Sequence, residues 1–267
     1  MRLKVLHRTT YTYEKPLSYG LEEIRLTPKS SHGQKVLSWK TEIEGGTSEV
    51  EFEDQNMNRV TLISFSGAGH ELIITSEGEV ETSDQSGIIG RHQGFTPLWL
   101  FERSTPLTTV GSHVRKLVKG LSSEEPDVLK RLHILSERIR EAVEYKVGST
   151  DSDTTAELAL EQGYGVCQDH SHVFLAGARA LGVPARYVSG YLMMNDRVNQ
   201  DATHAWAEAH VEGLGWVGFD ISNGISPDER YVRVATGLDY SEAAPILGLR
   251  FGDHGMETLA VDIQVQQ

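Results

Sequence analysis

Short runs of alternating apolar and polar residues fill the first hundred positions and predict β-strands. In the first run Leu3, Val5 and His7 alternate with polar residues, and further strand-forming runs lie at 10–13, 36–39, 60–65 and 72–75. Turn signals separate these runs at 45–46, 54–56 and 67–69. Many short strands with frequent turns predict a β-sandwich-like N-terminal domain over residues 1–83.

Residues 84–106 contain few periodic apolar positions and several glycines and prolines, which predicts a linker. Beyond it, Leu132, Leu135 and Ile139 recur at helical spacing and predict a helix that begins behind Pro126. A second helix is predicted from Cys167 to a stop at Gly182 and Pro184.

The helix that begins at Cys167 is apolar nearly all round, as expected of a central, buried helix. Strand-forming segments follow it at 185–192, 205–211 and 216–220. A helix followed by consecutive strands predicts an α+β domain, which we assign to residues 107–267.

Cys167 is the only cysteine in the 267 residues, and it follows the glycine turn Gly163-Tyr164-Gly165. At the first turn of a helix, free N–H groups and the helix dipole favour a thiolate and can bind an oxyanion. A lone cysteine is more often a small buried hydrophobe. The sequence downstream therefore decides between a structural thiol and a nucleophile.

His204 and Asp220 lie on two strands that the turn 212–215 joins into a predicted antiparallel hairpin. If His210 pairs with Trp216, Trp206 is opposite Asp220, and His204 lies one diagonal step away on the same face. A register shifted by one residue would separate them. The predicted roles are Cys167 as nucleophile, His204 as base and Asp220 as the acid that orients the imidazole.

The formal net charge is −13, which argues against nucleic acid or an anionic membrane as the main partner. One cysteine excludes an intramolecular disulfide and suits a reducing compartment. The N-terminus becomes polar too early for a signal peptide, and no apolar run approaches the ~20 residues that span a bilayer. The sequence therefore favours a cytoplasmic protein, and it leaves the oligomeric state open.

Four blocks of the sequence resemble the bacterial transglutaminase-like superfamily. They lie at 165–172, at 180–191, at 203–208 and at 213–220. The last block matches the family's GWVxFDPTN element, except that Ile221-Ser222-Asn223 replaces Pro-Thr-Asn. The β-rich start is also similar to the N-terminal region that precedes this core in bacterial members.

This resemblance implies a papain-like core with a Cys–His–Asp triad at Cys167, His204 and Asp220. It also implies acyl transfer through a thioester at an amide bond of a peptide or peptide-like substrate, with hydrolysis as the favoured outcome. Cross-linking by a true protein-glutamine transglutaminase and a non-catalytic binding module on the same fold are the alternatives. The reaction needs no metal or organic cofactor.

Two questions stay open at the level of sequence. Cys167, His170 and His172 could be zinc ligands, although on a helix His172 projects to a different side from the other two. Gln162, Tyr164 and Gln168 could each donate to the oxyanion beside the backbone N–H of Cys167, and the sequence does not choose among them.

Overall fold

The computed structural model describes residues 1–16, 18–66, 69–251 and 255–267. The strands of the N-terminal half are β1 (Arg2–Tyr13), β2 (Tyr19–Thr27), β3 (Gln34–Glu44), β4 (Thr47–Glu53), β5 (Arg59–Phe65), β6 (Glu71–Thr82) and β7 (Ile88–Gly90). The later strands are β8 (Glu144–Tyr145), β9 (Tyr164–Gly165), β10 (Ala185–Leu192), β11 (Asn199–Gln200), β12 (His204–Val211), β13 (Gly215–Phe219), β14 (Tyr231–Gly237), β15 (Ile246–Phe251) and β16 (Glu257–Gln266).

The α-helices are α1 (Ser112–Val118), α2 (Leu121–Glu124), α3 (Val128–Ala142), α4 (Ala156–Gln162), α5 (Cys167–Ala180) and α6 (Tyr240–Ala243). Two 3-10 helices precede α1, at Leu98–Glu102 and Pro106–Thr108. Among the residues that the structure describes, no helix is long and apolar enough to cross a bilayer.

Two antiparallel sheets face each other in the N-terminal half, as the alternating sequence pattern predicts. One sheet has the strand order β11-β16-β1-β6-β3 and the other has the order β15-β2-β5-β4. Apolar side chains from both sheets meet between them, among them Tyr11, Ile24, Leu26, Ile63 and Leu72. The β-sandwich prediction is confirmed. Of the predicted turn at 67–69, residues 67 and 68 lie outside the described residues.

A further antiparallel sheet has the order β14-β10-β12-β13-β7, and α5 packs across one of its faces. All of its strands except β7 come from the second half of the chain. Alternate residues of the central strands, such as Tyr187, Ala207 and Phe219, are buried in one cluster with residues of α5, and the rings of Phe219 and Phe174 are in contact. Nearly all of α5 from its third residue to Arg179 is buried. The predicted α+β core, a buried cysteine helix on an antiparallel sheet, is therefore confirmed.

Residues 84–106, which the sequence assigns to a linker, contribute to the second sheet. β7 pairs with β13, and Phe101 is buried with its ring centroid 5.1 Å from that of Trp216. The segment also accepts a hydrogen bond at the Phe101 carbonyl from Nε of Arg179 (3.0 Å). A three-residue strand is too short for its alternation to stand out among glycines and prolines.

The C-terminal tail completes the N-terminal sheets, although the sequence-based division groups it with the second domain at 107–267. β16 pairs with β1 over the whole length from Lys4 to Tyr13, and β15 pairs with β2. Ile263 and Val265 of β16 are buried with Tyr191 and Val232 of the other sheet. The two halves of the chain therefore share strands and a core, which alternation within single strands could not reveal.

Candidate active site

Cys167 begins α5, with Val166 between it and the end of β9, and it is partly exposed to solvent. Gly163 ends α4 with a φ of +74°, a conformation that favours glycine. A side chain at Gly165 would place its Cβ 2.7 Å from the Cβ of Asp169, which explains the second glycine. The two glycines thus let the chain turn sharply and enter α5 at the cysteine.

Asp169 caps the start of α5 from within the first turn. Its Oδ2 accepts hydrogen bonds from the backbone N–H of Val166 and the hydroxyl of Thr150, each at 2.7 Å. Within the described residues, the backbone N–H groups of Cys167 and Gln168 have no hydrogen-bond acceptor. The positive end of the helix is thus open next to the thiol.

The hairpin of β12 and β13 has the register in which His210 pairs with Trp216, which is the one of the two registers considered from sequence that puts His204 and Asp220 on the same face. His204 begins β12 and Asp220 directly follows β13. Nε2 of His204 lies 2.6 Å from Oδ2 of Asp220, and both residues are buried. The structure thus brings the predicted histidine and aspartate into direct contact.

His204 also interacts with the side chain of Cys167, and this interaction raises the pKa of the imidazole. Because Nε2 faces Asp220, Nδ1 is the ring nitrogen left for the thiol. Burial favours the neutral imidazole, but the hydrogen bonds and charges of Asp220 and Cys167 outweigh it and raise the pKa of His204 to about 10. All three predicted site residues are therefore brought together, with the histidine between the sulfur and the carboxylate.

Asp220 receives two further side-chain hydrogen bonds that the sequence does not predict. The hydroxyl of Tyr231 and the side-chain amide of Asn223 each donate to its Oδ2 at 2.7 Å, and the backbone N–H of Asn223 donates to Oδ1 at 3.1 Å. Burial raises the pKa of Asp220, but the hydrogen bonds and the charge of His204 lower it overall. Asn223 lies in the stretch that matches the family's GWVxFDPTN element, and that match was the one sequence signal for its role. Tyr231 lies outside all four blocks that resemble the family.

Trp206 packs against the imidazole of His204. The two rings are stacked with centroids 6.2 Å apart, and Trp206 meets Tyr231 edge-on at 5.4 Å. The indole is almost completely buried. It restricts the orientation of His204 and shields the His204–Asp220 hydrogen bond from water.

His170 and His172 point to protein partners. Nδ1 of His170 lies 2.9 Å from Oγ of Ser222 and its Nε2 lies 2.9 Å from the carbonyl of Val143, while Nε2 of His172 accepts from the backbone N–H of Tyr240. Among the described residues, no group of three His, Cys, Asp or Glu side chains is arranged to hold a metal ion. Both histidines serve packing and hydrogen bonding in this arrangement.

None of the three side chains that the sequence left open as oxyanion donors is assigned that role here. The amide of Gln168 donates to the carbonyl of Ser152 (3.1 Å), the ring of Tyr164 lies 5.0 Å from Nζ of Lys146, and Gln162 is exposed at the end of α4. Tyr145, which carries no motif signal, pairs with Gly165 through β8 and β9. Burial raises its pKa, and the nearby negative charges of Cys167 and Asp220 add to this effect.

Two family models match the chain. Residues 115–221 match the transglutaminase-like superfamily, and residues 3–81 match the bacterial transglutaminase-like N-terminal region. The matched core contains Cys167, His204 and Asp220, and the N-terminal match corresponds to the strands from β1 to β6.

Relatives and a solved structure are similar over nearly the whole chain. An uncharacterised protein of Mycobacterium leprae is 30% identical over 278 residues, covering 99% of this chain and 98% of that protein. An uncharacterised protein of Mycobacterium tuberculosis is 28% identical over 291 residues, covering 99% and 92%. The structure of a "putative cysteine protease" from Cytophaga hutchinsonii has a TM-score of 0.78 at 23% identity and covers 100% of this chain and 90% of that one, which shows a shared fold.

Proposed function

The chain belongs to the transglutaminase-like superfamily, and from that premise we propose that it is a cysteine-dependent enzyme that breaks amide bonds in a peptide or peptide-like substrate. The observation that carries the proposal is the chain of contacts from Cys167 through His204 to Asp220. It supplies a nucleophile, a proton carrier and a buried anion that keeps the carrier protonated.

In the proposed first step, Sγ of Cys167 attacks the carbonyl carbon of the scissile amide. The carbonyl oxygen becomes an oxyanion that the free N–H groups of Cys167 and Gln168 stabilise, and we assign the phenol of Tyr145 as a further donor. His204 then donates its proton to the amide nitrogen, the carbon–nitrogen bond breaks, and a thioester on Cys167 is left.

Water completes the reaction in this proposal. His204, now neutral, removes a proton from a water molecule that attacks the thioester carbon, so that a carboxylic acid leaves and the thiolate is restored. The partial exposure of Cys167 supports hydrolysis, because water can reach the sulfur. An amine that reached the thioester first would give the transfer product instead.

The proposal is tested by trapping the acyl group on the full chain. The protein is mixed with a defined peptide library in the presence of methylamine, quenched in acid, and analysed by intact mass and peptide mapping. We expect a peptide-derived mass on Cys167, free carboxylic acid as the main product, and slower acylation in Tyr145→Phe.

The matched control is Cys167→Ser. If that variant processes the same peptides at the wild-type rate, the thiol mechanism is wrong. If N-methylamides outweigh acids, the enzyme is a transferase and only the hydrolytic part of the proposal fails. If the wild-type mass never changes and neither acid nor N-methylamide is formed from any peptide, the binding-module alternative replaces the enzyme.

A further inference from the structure

A cavity of about 640 Å³ lies between the N-terminal sandwich and the sheet that carries His204. Its floor is formed by Arg186 of β10, Trp216 of β13 and Arg233 of β14. Arg186 and Trp216 are next in sequence to Tyr187 and Val217, which face α5, so the cavity is on the opposite face of the sheet from the cysteine helix. The β2–β3 connection and the β4–β5 turn form its other walls.

Cations dominate the lining of this cavity. Lys29, Arg59, Arg91, Arg186 and Arg233 line it, and Glu53 is the acidic residue among the lining residues that the structure describes. The whole chain has a formal net charge of −13. A positive cavity in a strongly acidic protein concentrates anions locally.

Arg186 is the most constrained of these cations. Its residue is 9% exposed, and its guanidinium carbon lies 3.9 Å from the centroid of the Trp216 ring. Nε donates to Oε2 of Glu208 at 2.6 Å, but the two terminal nitrogens have no hydrogen-bond partner within the described residues. A buried guanidinium thus presents a free pair of donors to the cavity, the geometry that binds a carboxylate or a phosphate oxygen pair.

The carboxylate of Glu208, which faces these cations, is already shared between Arg186 and Arg233. Arg233 donates from Nε and one terminal nitrogen to the same Glu208 carboxylate, at 2.7 and 3.2 Å. Burial raises the pKa of Glu208, but the charges of Arg186 and Arg233 outweigh it and lower the pKa to about 2. One carboxylate therefore faces two guanidinium groups, and an excess positive charge remains.

Lys29 adds a further cation at the edge of the cluster. Its Nζ donates to the carbonyl of Asn56 at 3.1 Å. Burial and the charges of Arg233 and Arg186 lower the pKa of Lys29 to about 7, although Asp54 and Glu208 oppose the shift. Lys29, Arg186 and Arg233 thus repel one another electrostatically, and a bound anion would reduce that repulsion.

We infer that this cavity is a binding site for a small organic anion, whose carboxylate or phosphate group is held by the free edge of Arg186 with Arg233 and Lys29. The aromatic rings of Trp39, Phe101 and Trp216 also line the cavity and would contact the apolar body of the ligand. Cys167, His204 and Asp220 are not among the residues that line the cavity, and the inference does not depend on the proposed function.

The inference is tested by NMR titration of the full-length protein at pH 6.5 and low salt. The probes are benzoate, phenyl phosphate, inorganic phosphate and the neutral benzamide. We expect benzoate or phenyl phosphate to bind and to shift the indole N–H signal of Trp216, and benzamide not to bind. The tighter of the two aromatic anions identifies the head group as carboxylate or phosphate.

Variants locate the site. Arg186→Lys keeps the charge opposite Glu208 but removes the two-pronged donor, and Lys29→Gln removes a cation that is less deeply buried. Each is expected to weaken binding at least about tenfold, since each removes a charge-assisted hydrogen bond to the anion. Lys130→Gln, at an exposed position on α3, is the control and leaves binding unchanged.

Thermal melting of each variant establishes that it is folded. If neither aromatic anion binds to the wild type, or if Lys29→Gln and Lys130→Gln weaken binding equally, the site does not exist as described. Neither result bears on Cys167, so failure here is distinct from failure of the proposed function.

Discussion

Asp220 is a buried carboxylate, and the hydrogen bonds that it receives keep it ionised beside His204. Tyr231 and Asn223 donate to Oδ2, the same oxygen that faces the imidazole. A carboxylate satisfied in this way holds one orientation, and its charge stabilises a protonated histidine next to it. Tyr231 and Asn223, which contact Asp220, therefore add to the effect that Asp220 and Cys167 have on the protonation of His204.

Replacement of Asp220 by Asn tests this effect at the residue scale. The variant loses the negative charge that raises the pKa of His204, so the imidazolium should lose its proton at lower pH than in the wild type, where the pKa is about 10. We expect the titration midpoint of His204, measured by NMR, to fall by about 1 to 3 pH units.

Asp262→Asn is the control for that titration, because Asp262 is exposed on β16, outside the site. An unchanged midpoint in Asp220→Asn would show that Asp220 does not hold the proton on His204.

Some of these residue contacts could be predicted from sequence and others could not. The diagonal placement of His204 and Asp220 follows from the two-residue period of a strand and from a recognisable turn. Tyr231 reaches Asp220 from β14, which pairs with β10 and not with β13. Such a contact depends on the packing of the whole sheet, so no local pattern contains it.

At the scale of elements, the start of α5 determines where the thiol lies. Gly165 pairs with Tyr145 across β8 and β9, and its missing side chain leaves room for the carboxylate of Asp169. That carboxylate then accepts the hydrogen bond of Val166. The turn, the cap and the helix start thus form one unit.

Gly165→Ala should therefore damage this unit. The added Cβ would lie 2.7 Å from that of Asp169, so the cap must move. We expect a loss of about 1 to 3 kcal/mol in the free energy of unfolding, measured by urea denaturation, and slower alkylation of Cys167.

The matched substitution is Gly69→Ala, because a Cβ at Gly69 meets nothing within 4 Å and Gly69 has no positive φ. Equal effects of the two variants would contradict the role of Gly165.

The long elements were predictable and the short ones were not. β1 alternates over twelve residues and α3 has a clear apolar stripe, so both stand out in the sequence. α3 contains all three residues of the predicted stripe and ends at Ala142, with Val143 as its cap. β7 has three residues, and its strand character depends on pairing with β13.

At the scale of the whole molecule, the last strand joins the sandwich to the sheet of the candidate site. Ile263 of β16 is completely buried among Leu3, Tyr191 and Val232, which come from both halves. Its partner β1 lies about 250 residues earlier in the chain. A pattern within one strand cannot reveal a partner so distant, and so the tail could not be assigned from sequence.

Ile263→Ala should destabilise the whole chain. Removing a completely buried isoleucine side chain costs about 2 to 5 kcal/mol. Because Ile263 packs against both halves, we expect the variant to unfold in a single transition with a lowered midpoint. Circular dichroism and the exposure of Cys167 to a thiol reagent should give the same midpoint.

Ile225→Ala, at a position that is 39% exposed, is the matched control. Two separate transitions, with only the sandwich destabilised, would contradict the shared core.

The most direct test of the central claim is the alkylation rate of Cys167 by iodoacetamide at pH 6, compared between the wild type and His204→Ala. Cys167 is the only cysteine, so the mass of the intact protein reports this reaction alone. If protonated His204 holds the sulfur as a thiolate, the wild type reacts faster than N-acetylcysteine, and His204→Ala is slower than the wild type by at least about tenfold. Equal rates for the wild type, the variant and N-acetylcysteine would contradict the account.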